Sequence, residues 1–287
     1  SVVCPILNEE KNIATFLDYL LAQAYIPEIV LVDGGSTDKT IEIVRSYQKK
    51  SNKIKLIELK ERGTGKAINV GFKNSSGLYI CHSGADFGFL GKNIFSKAVD
   101  FIKKNPKTKI LALAFPLKKR FNNIIKDSFL FWDSRYSLNL IVPIVKREIF
   151  PTYPEISYGE DKIAAKSLEQ YFQQAQTLFL EEDFLRFQKD FSLNLFIKRY
   201  LWYGRTFLPY LKLANEPKEY LRILLCVLAV FFPPILLIPF LVGIYDAIKF
   251  LKIFPLTVVF FPIFSMAASW LMGIGFLIGF FVKDLGH

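Results

Sequence analysis

The sequence predicts an α/β fold, a mainly parallel and doubly wound sheet, followed by an amphipathic helix and two long apolar helices. Three observations point there. Over roughly the first 190 residues, short apolar runs alternate with stretches of helical periodicity. Clusters of acids, glycines and hydroxyls stand at the C-terminal ends of those runs, where open α/β sheets bind ligands. The apolar excess is local: the 287 residues are 52% hydrophobic with a net charge of +11, yet Leu221 to Phe281 carries only four charges, Arg222, Asp246, Lys249 and Lys252.

The elements follow in order. "VVCPIL" is a first strand, after which Asn8 is placed to cap a helix with Glu9 and Glu10 in its first turn and Ile13, Phe16, Leu17, Leu20 and Leu21 along one face. "EIVLV" is a second strand, leading through "DGGSTD" to a helix from about Thr37 that carries Ile41, Val44 and Tyr47. The strand "IKLIEL", a helix around "KAINVGFKN", the strand "GLYICH", a helix near "NIFSKAVDFIKK" and the strand "KILALAF" complete the series. Strand, helix, strand repeated in this way calls for parallel strands joined by crossover helices. Internal repeats and low-complexity segments are absent from the sequence.

The C-terminal third reads differently. In "FSLNLFIKRYLWYGRTFLPY", helical winding puts Leu193, Phe196, Tyr200, Tyr203 and Phe207 on one face and Asn194, Lys198, Trp202 and Arg205 on the other, the pattern of a helix lying at a membrane interface. Two apolar blocks, about Ile223 to Ile244 and Ile253 to Val282, each reach the roughly 20 residues a spanning helix needs. Prolines 233, 234, 239, 255 and 262 leave room for kinks or re-entrant entry. The expected organisation is therefore 1–190 as a catalytic domain, 191–220 as interfacial helix and linker, and 221–287 as a transmembrane hairpin. Lys212, Lys218, Arg222 and Lys283 flank the hairpin and favour a multi-pass membrane protein with its catalytic domain facing the cytoplasm. Cys4, Cys81 and Cys226 are too few and too scattered for a disulfide framework or a zinc site, which suits a reducing compartment. A chain opening on the strand-like "SVVCPIL" is read as lacking a secretory signal.

Two nucleotide-binding motifs fail. "ERGTGKAINVG" has Lys60 and Ala67 where a P-loop needs glycine and a hydroxyl, and no GxGxxG follows the first strand. Taken together, "CPILNEEKNI", "IVLVDGGSTDKT", "GTGKAINVGFKNSSGLYI", "GADF" and "YGEDKIAAKSL" resemble, in order and spacing, the inverting glycosyltransferase family 2, over about residues 1–205. The resemblance implies a GT-A fold. It also implies that Pro5, Glu9 and Asp33 meet the base and ribose of a nucleotide-sugar donor, that Gly34 and Gly35 leave room for the ring, and that Lys66 and Asn69 line the same pocket. Ser36 and Asp38 are expected instead to fix the turn and cap the helix.

The family's Asp-x-Asp metal motif stands here as Gly84-Ala85-Asp86. Asp86 alone is then expected to hold Mg²⁺ or Mn²⁺ with the diphosphate and water, an arrangement such ions accept; His82 is expected to be structural. The resemblance makes Asp161, beside Glu160, the general base at the start of a helix under the acceptor. A base is needed for a hydroxyl acceptor and hardly for a phosphate, so a lipid-linked hydroxyl is preferred to a polyprenyl phosphate. Arg199 and Arg205 suit a lipid phosphate. The chain lacks the Gln-x-x-Arg-Trp sequence of processive synthases, so single-sugar transfer is expected, with no nucleic-acid partner. A non-catalytic membrane scaffold is the rival from another class, and it would show neither nucleotide binding nor release.

Overall fold

The computed structural model describes residues 1–25, 28–89, 91–116, 139–156, 158–180, 184–186, 192–250 and 260–281. The chain divides into two compact units, 1–118 with 138–188, and 119–137 with 189–287.

The first unit is built on a seven-stranded sheet. Its strands are β1 (Val2–Ile6), β2 (Ile29–Asp33), β3 (Ile54–Glu58), β4 (Tyr79–His82), β6 (Ile110–Pro116), β7 (Asn139–Lys146) and β8 (Ala175–Phe179), in the order β3-β2-β1-β4-β7-β6-β8. Only β7 runs against the rest: it pairs antiparallel with both β4 and β6, while β1–β2, β2–β3, β1–β4 and β6–β8 are parallel. β7 has no counterpart in the sequence-based strand series. A short antiparallel pair, β5 (Phe87–Phe89) with β9 (Phe184–Arg186), forms a second sheet.

Helices cover both faces of the large sheet, which is why its central strands are apolar throughout: every residue of β2 is buried. On one face Val2, Cys4, Ile6, Ile29 and Leu31 pack with Ile13, Phe16, Leu17 and Leu20 of α1 (Ile13–Leu21), Val44 of α2 (Thr40–Gln48) and Ile94, Phe95 and Ala98 of α4 (Ile94–Lys104). The alternate residues Val3, Val30, Val32 and Ile80 face α3 (Thr64–Asn74) through Ala67. Gly71 permits this approach, because a Cβ there would stand 2.4 Å from Val3 Cγ1 and 3.1 Å from Val32 Cγ2.

One expected cap is corrected. α1 begins at Ile13, not after Asn8, and its first turn holds no acid. Asn8 sits in the left-handed region at φ 54 and serves a loop instead, so Glu9 and Glu10 lie outside the helix.

The second unit is helical: α6 (Leu193–Arg205), α7 (Phe207–Ala214), α8 (Pro217–Phe231), α9 (Leu237–Phe250) and α10 (Phe261–Phe281), with α5 reserved for Glu160–Ser167 of the first unit. The expected first spanning helix is found as a broken pair. α8 and α9, of 15 and 14 residues, are separated by a 3-10 turn at Pro233–Leu236, and each is about 22 Å long against a hydrocarbon thickness of about 30 Å. Pro233 and Pro234 have no N–H to continue the ladder. Among the described residues, one helix is long and apolar enough to cross a membrane, over Phe261–Gly279.

α6 buries Phe196, Tyr200, Gly204 and Phe207 at its C-terminal margin, and leaves Leu193 65% exposed. Its partner is α10. A Cβ on Gly204 would stand 2.1 Å from Met272 O, one on Gly275 2.1 Å from Leu201 O, and one on Gly279 2.6 Å from Arg205 O. Gly275 and Gly279 are four apart, the small-residue spacing that lets helix backbones touch.

Candidate active site

The strand order changes direction at β1: β2 and β3 lie on one side of it and β4 on the other. That switch point is where connecting loops diverge and a crevice opens. β4 pairs with β1 only at Val2 and Val3. Val2 donates to Glu28 O and Ile6 accepts from Gly34, both on the β2 side, whereas Val3 accepts from Ser83 on the β4 side. By alternation, the N–H that Pro5 lacks would have faced β4 beyond the end of that pairing. A proline in this central strand therefore leaves no ladder bond unmade.

The loops after β1 and β2 form one structure. The register sets Ile6 beside Asp33. Asn8 N–H donates to Ser36 Oγ at 2.9 Å and Asn8 Oδ1 accepts from Thr37 N–H at 2.9 Å. Glu9 N–H donates to Thr40 Oγ1 at 2.7 Å, and Asp38 accepts from the N–H groups of Glu10 and Thr40 at 3.2 and 3.0 Å. Asp38 thus ties the turn, as its spacing suggested. Asp33 does the same: buried to 3% exposure, its carboxylate accepts from Gly35 N–H at 2.8 Å, Ser36 N–H at 3.0 Å and Ser36 Oγ at 2.5 Å. Gly35 closes this turn at φ 90, a conformation open to glycine. Ser36 N–H also reaches the other carboxylate oxygen at 3.2 Å, so donors of its own loop meet the roughly four acceptor positions of the Asp33 carboxylate.

Ser83 to Asp86 bridge β4 to β5 and are held at both ends by sheet pairing. Ser83 and Ala85 are buried, Asp86 half-buried. Burial pushes the Cys4 thiol of β1 well above its ordinary range, and the carboxylates of Glu9 and Asp86 push it further. Glu9 lies in the loop after β1 and Asp86 in the bridge from β4 to β5.

A second group of acids stands beside the end of β4. Gly159, at φ 78, precedes α5, whose first turn holds Glu160 and Asp161 where a helix N-terminus favours negative charge. Burial pushes the His82 imidazole down to about 4, with Asp161 acting in the opposite sense. The Tyr153 hydroxyl is pushed up to about 12 by burial, then by Asp161 and Glu160. His82 and Tyr153 meet edge to face at 5.7 Å. Asp161 is exposed; Glu160 is half-buried, its carboxyl raised by burial and by Asp161.

α3 holds this floor in place. The Asn69 amide clamps the Tyr153 backbone, Nδ2 donating to Tyr153 O at 2.7 Å and Oδ1 accepting from Tyr153 N–H at 2.9 Å. A Cβ on Gly65 would stand 2.2 Å from Pro154 O. Sequence reading missed both roles, since the partners lie 84 and 89 residues away. Lys66, half-buried, pairs with Glu61 at 2.5 Å. Arg199 and Arg205 belong to α6 of the second unit.

The described residues contain no group of three His, Cys, Asp or Glu suited to a metal ion. The donor set is one carboxylate, Asp86, half-buried on a fixed four-residue bridge. That fits a cation shared with a ligand's phosphates and water, and does not fit an all-protein cage.

Residues 1–141 match the family model described as "Glycosyl transferase family 2". The chain is 34% identical over 109 residues to poly(ribitol-phosphate) beta-N-acetylglucosaminyltransferase TarS of Staphylococcus aureus, covering 37% of this chain and 19% of TarS. It is 36% identical over 103 residues to dolichyl N-acetyl-alpha-D-glucosaminyl phosphate 3-beta-D-2,3-diacetamido-2,3-dideoxy-beta-D-glucuronosyltransferase of Methanococcus voltae, covering 33% of this chain and 32% of that one. The chain thus spans between a fifth and a third of the length of these curated relatives. Among solved structures, mannosyltransferase PcManGT from Pyrobaculum calidifontis, in complex with GDP-Man and Mn²⁺, superposes with a TM-score of 0.59 at 17% identity, covering 99% of this chain and 87% of that one. The mostly parallel sheet is that of the GT-A fold, and residues 1–141 carry the match to glycosyl transferase family 2.

Proposed function

We propose that this protein transfers a single sugar, with inversion, from a nucleotide sugar to a lipid-linked acceptor at a membrane surface. The observation that carries the reading is the β1/β4 switch point itself, with Glu9 in the loop after β1, Asp33 at the end of β2, Asp86 in the bridge after β4 and Asp161 opening α5. The donor's base and ribose lie against Pro5, Glu9, Asp33 and Gly35, with Lys66 and Asn69 alongside. Asp33, held by Gly35 and Ser36, shapes the turn against which the ring or the ribose lies.

An acceptor hydroxyl attacks the anomeric carbon from the face opposite the diphosphate. The new glycosidic bond forms as the bond to phosphate breaks, the nucleoside diphosphate leaves with the electron pair, and Asp161 takes the hydroxyl proton. Glu160, its carboxyl raised by burial and by Asp161, stands beside the base. His82, with its pKa near 4, is neutral at physiological pH and brings no positive charge to the site. Asp86 holds a divalent cation, Mg²⁺ or Mn²⁺, which when bound offsets the charge developing on the leaving diphosphate. The relative from M. voltae is named for a dolichyl-linked acceptor and PcManGT is bound to GDP-Man and Mn²⁺, which supports the acceptor and cation classes. The exposed apolar helices of the second unit support a membrane location, and the basic residues Lys212, Lys218 and Arg222 before them support a cytoplasmic first unit.

The test is release of nucleoside diphosphate from a panel of nucleotide sugars, with lipid-linked hydroxyl and polyprenyl-phosphate acceptors, with and without Mn²⁺ or Mg²⁺. Cation-dependent release with a hydroxyl acceptor is the expected result. Neither binding nor release of any donor would leave a scaffold as the better reading.

A further inference from the structure

We infer that the helical unit enters one leaflet of an anionic bilayer and returns, with α10 held against α6, α8 and α9 rather than spanning the bilayer. The argument begins with α6. Leu201 lies against Gly275 and Arg205 against Gly279, an equal step of four residues along each helix, so α6 and α10 run parallel in close backbone contact. Phe196 meets Phe264 with ring centroids 5.9 Å apart, extending the contact towards the other end of α10.

A perpendicular α10 would carry α6 into the hydrocarbon with it. Residues 193 to 214, α6 and α7, hold Lys198, Arg199, Arg205 and Lys212 and no acid, a net charge of +4. Such charges are costly at the bilayer core and are drawn to an anionic headgroup layer. Laid along the surface, α6 keeps its basic residues at headgroup level, and α10 lies beneath it.

The other contacts of α10 complete the layer. A Cβ on Gly273 would stand 2.0 Å from Cys226 O, and one on Gly243 2.5 Å from Pro262 Cα, so α8 and α9 pack along α10 as well. The side chains turned outward there are apolar: Phe231 at 73% exposure, Phe232 at 60%, with Leu237, Ile238, Leu241, Tyr245 and Ile248. The break between α8 and α9 suits hydrocarbon. Phe232 N–H reaches Leu228 O at 2.8 Å, Ile235 N–H reaches Phe232 O at 3.1 Å, and Pro233 and Pro234 have no N–H to satisfy. Basic residues on α6 and α7, together with exposed apolar side chains on α8 and α9, match one leaflet of a charged bilayer.

The inference rests on the membrane attachment proposed above. In the full chain, K73C on α3, K218C on α8 and K249C on α9 are reacted with a membrane-impermeant maleimide in sealed inverted vesicles of the expressing cells. Equal labelling of all three without detergent is expected. K249C labelling only after detergent opens the vesicles would overturn the shallow entry while leaving attachment intact; failure of the protein to sediment with the vesicles would remove both. As an independent readout, a fluorophore on F232C should be quenched more strongly by lipids spin-labelled near the headgroup than at the chain end. The reverse order would put the break at mid-bilayer and overturn the proposal.

Discussion

The two units solve the packing problem in opposite ways. In the first, apolar side chains point inward from both faces of the sheet, and polar loops cross-brace one another at its C-terminal edge. In the second, large apolar side chains point outward while glycines mediate the contacts between helices. Burial from water drives the first arrangement. In the membrane location proposed for the second unit, lipid would offer no such drive between helices, and close backbone approach would take its place. The same residue type serves both: Gly71 seats α3 on a sheet, Gly275 seats α6 on α10.

The largest effect should fall on chemistry in the first unit. Asp161→Asn is expected to lower kcat with a hydroxyl acceptor by about 10²- to 10⁴-fold, leaving thermal unfolding unchanged; much of the turnover with a phosphate acceptor should survive. Asp86→Ala should lower cation-dependent nucleoside diphosphate release by about 10²-fold or more, measured across a Mn²⁺ titration. Unaltered hydroxyl transfer by the Asp161 variant would remove the base assignment.

Packing changes separate the units further. Gly71→Val should destabilise the first unit by about 1–3 kcal/mol, in detergent or lipid alike, because a sheet and a helix backbone must move apart. Gly275→Leu should leave the donor site of the first unit intact and lower the melting of the helical unit, read by circular dichroism in detergent. An equal effect of both variants on one cooperative transition would break the comparison.

A pH-dependent effect of similar size belongs to the first unit alone. Burial raises the Glu28 carboxyl, but hydrogen bonds from Lys55, Ser1 and Ser76 outweigh it and hold the pKa at about 2, below its ordinary 4.5. A depressed carboxylate adds stability that is complete above 4.5 and disappears as pH falls towards 2. Denaturant titrations across that window should lose up to about 3 kcal/mol, and Glu28→Gln should flatten the slope. Asn69→Ala should be milder, about 1–3 kcal/mol, from the unpaired Tyr153 backbone.

Much of the first unit was legible because its signals are local. Apolar runs and helical periods are written in neighbours, and β1 to β4 fall where those runs stand. The cap at Asn8 was misread because the same asparagine serves either a helix or a left-handed loop, and only contact with Ser36 and Thr37 selects the loop. Asp33 was legible as a special residue but not as the organiser of its own turn. Asn69, Gly65 and the His82–Tyr153 pair were not legible as a group, because their partners are distant in sequence. In the second unit, Pro233 and Pro234 announced a break, whereas the partner of α6 could not be read from its own two faces.

The sequence by itself determined the alternation of strands and helices, the polar strand ends, the motif order of family 2 and the apolar character of the tail, since each follows from residue type and short-range spacing. Only the tertiary structure decided that β7 enters the sheet antiparallel, that Pro5 faces the gap at the switch point, that Asn69 clamps Tyr153, and that α6 lies along α10. The reason is physical: those features depend on which surfaces meet after the chain has folded back on itself, and pairing between distant segments leaves no periodicity in the residues that make it.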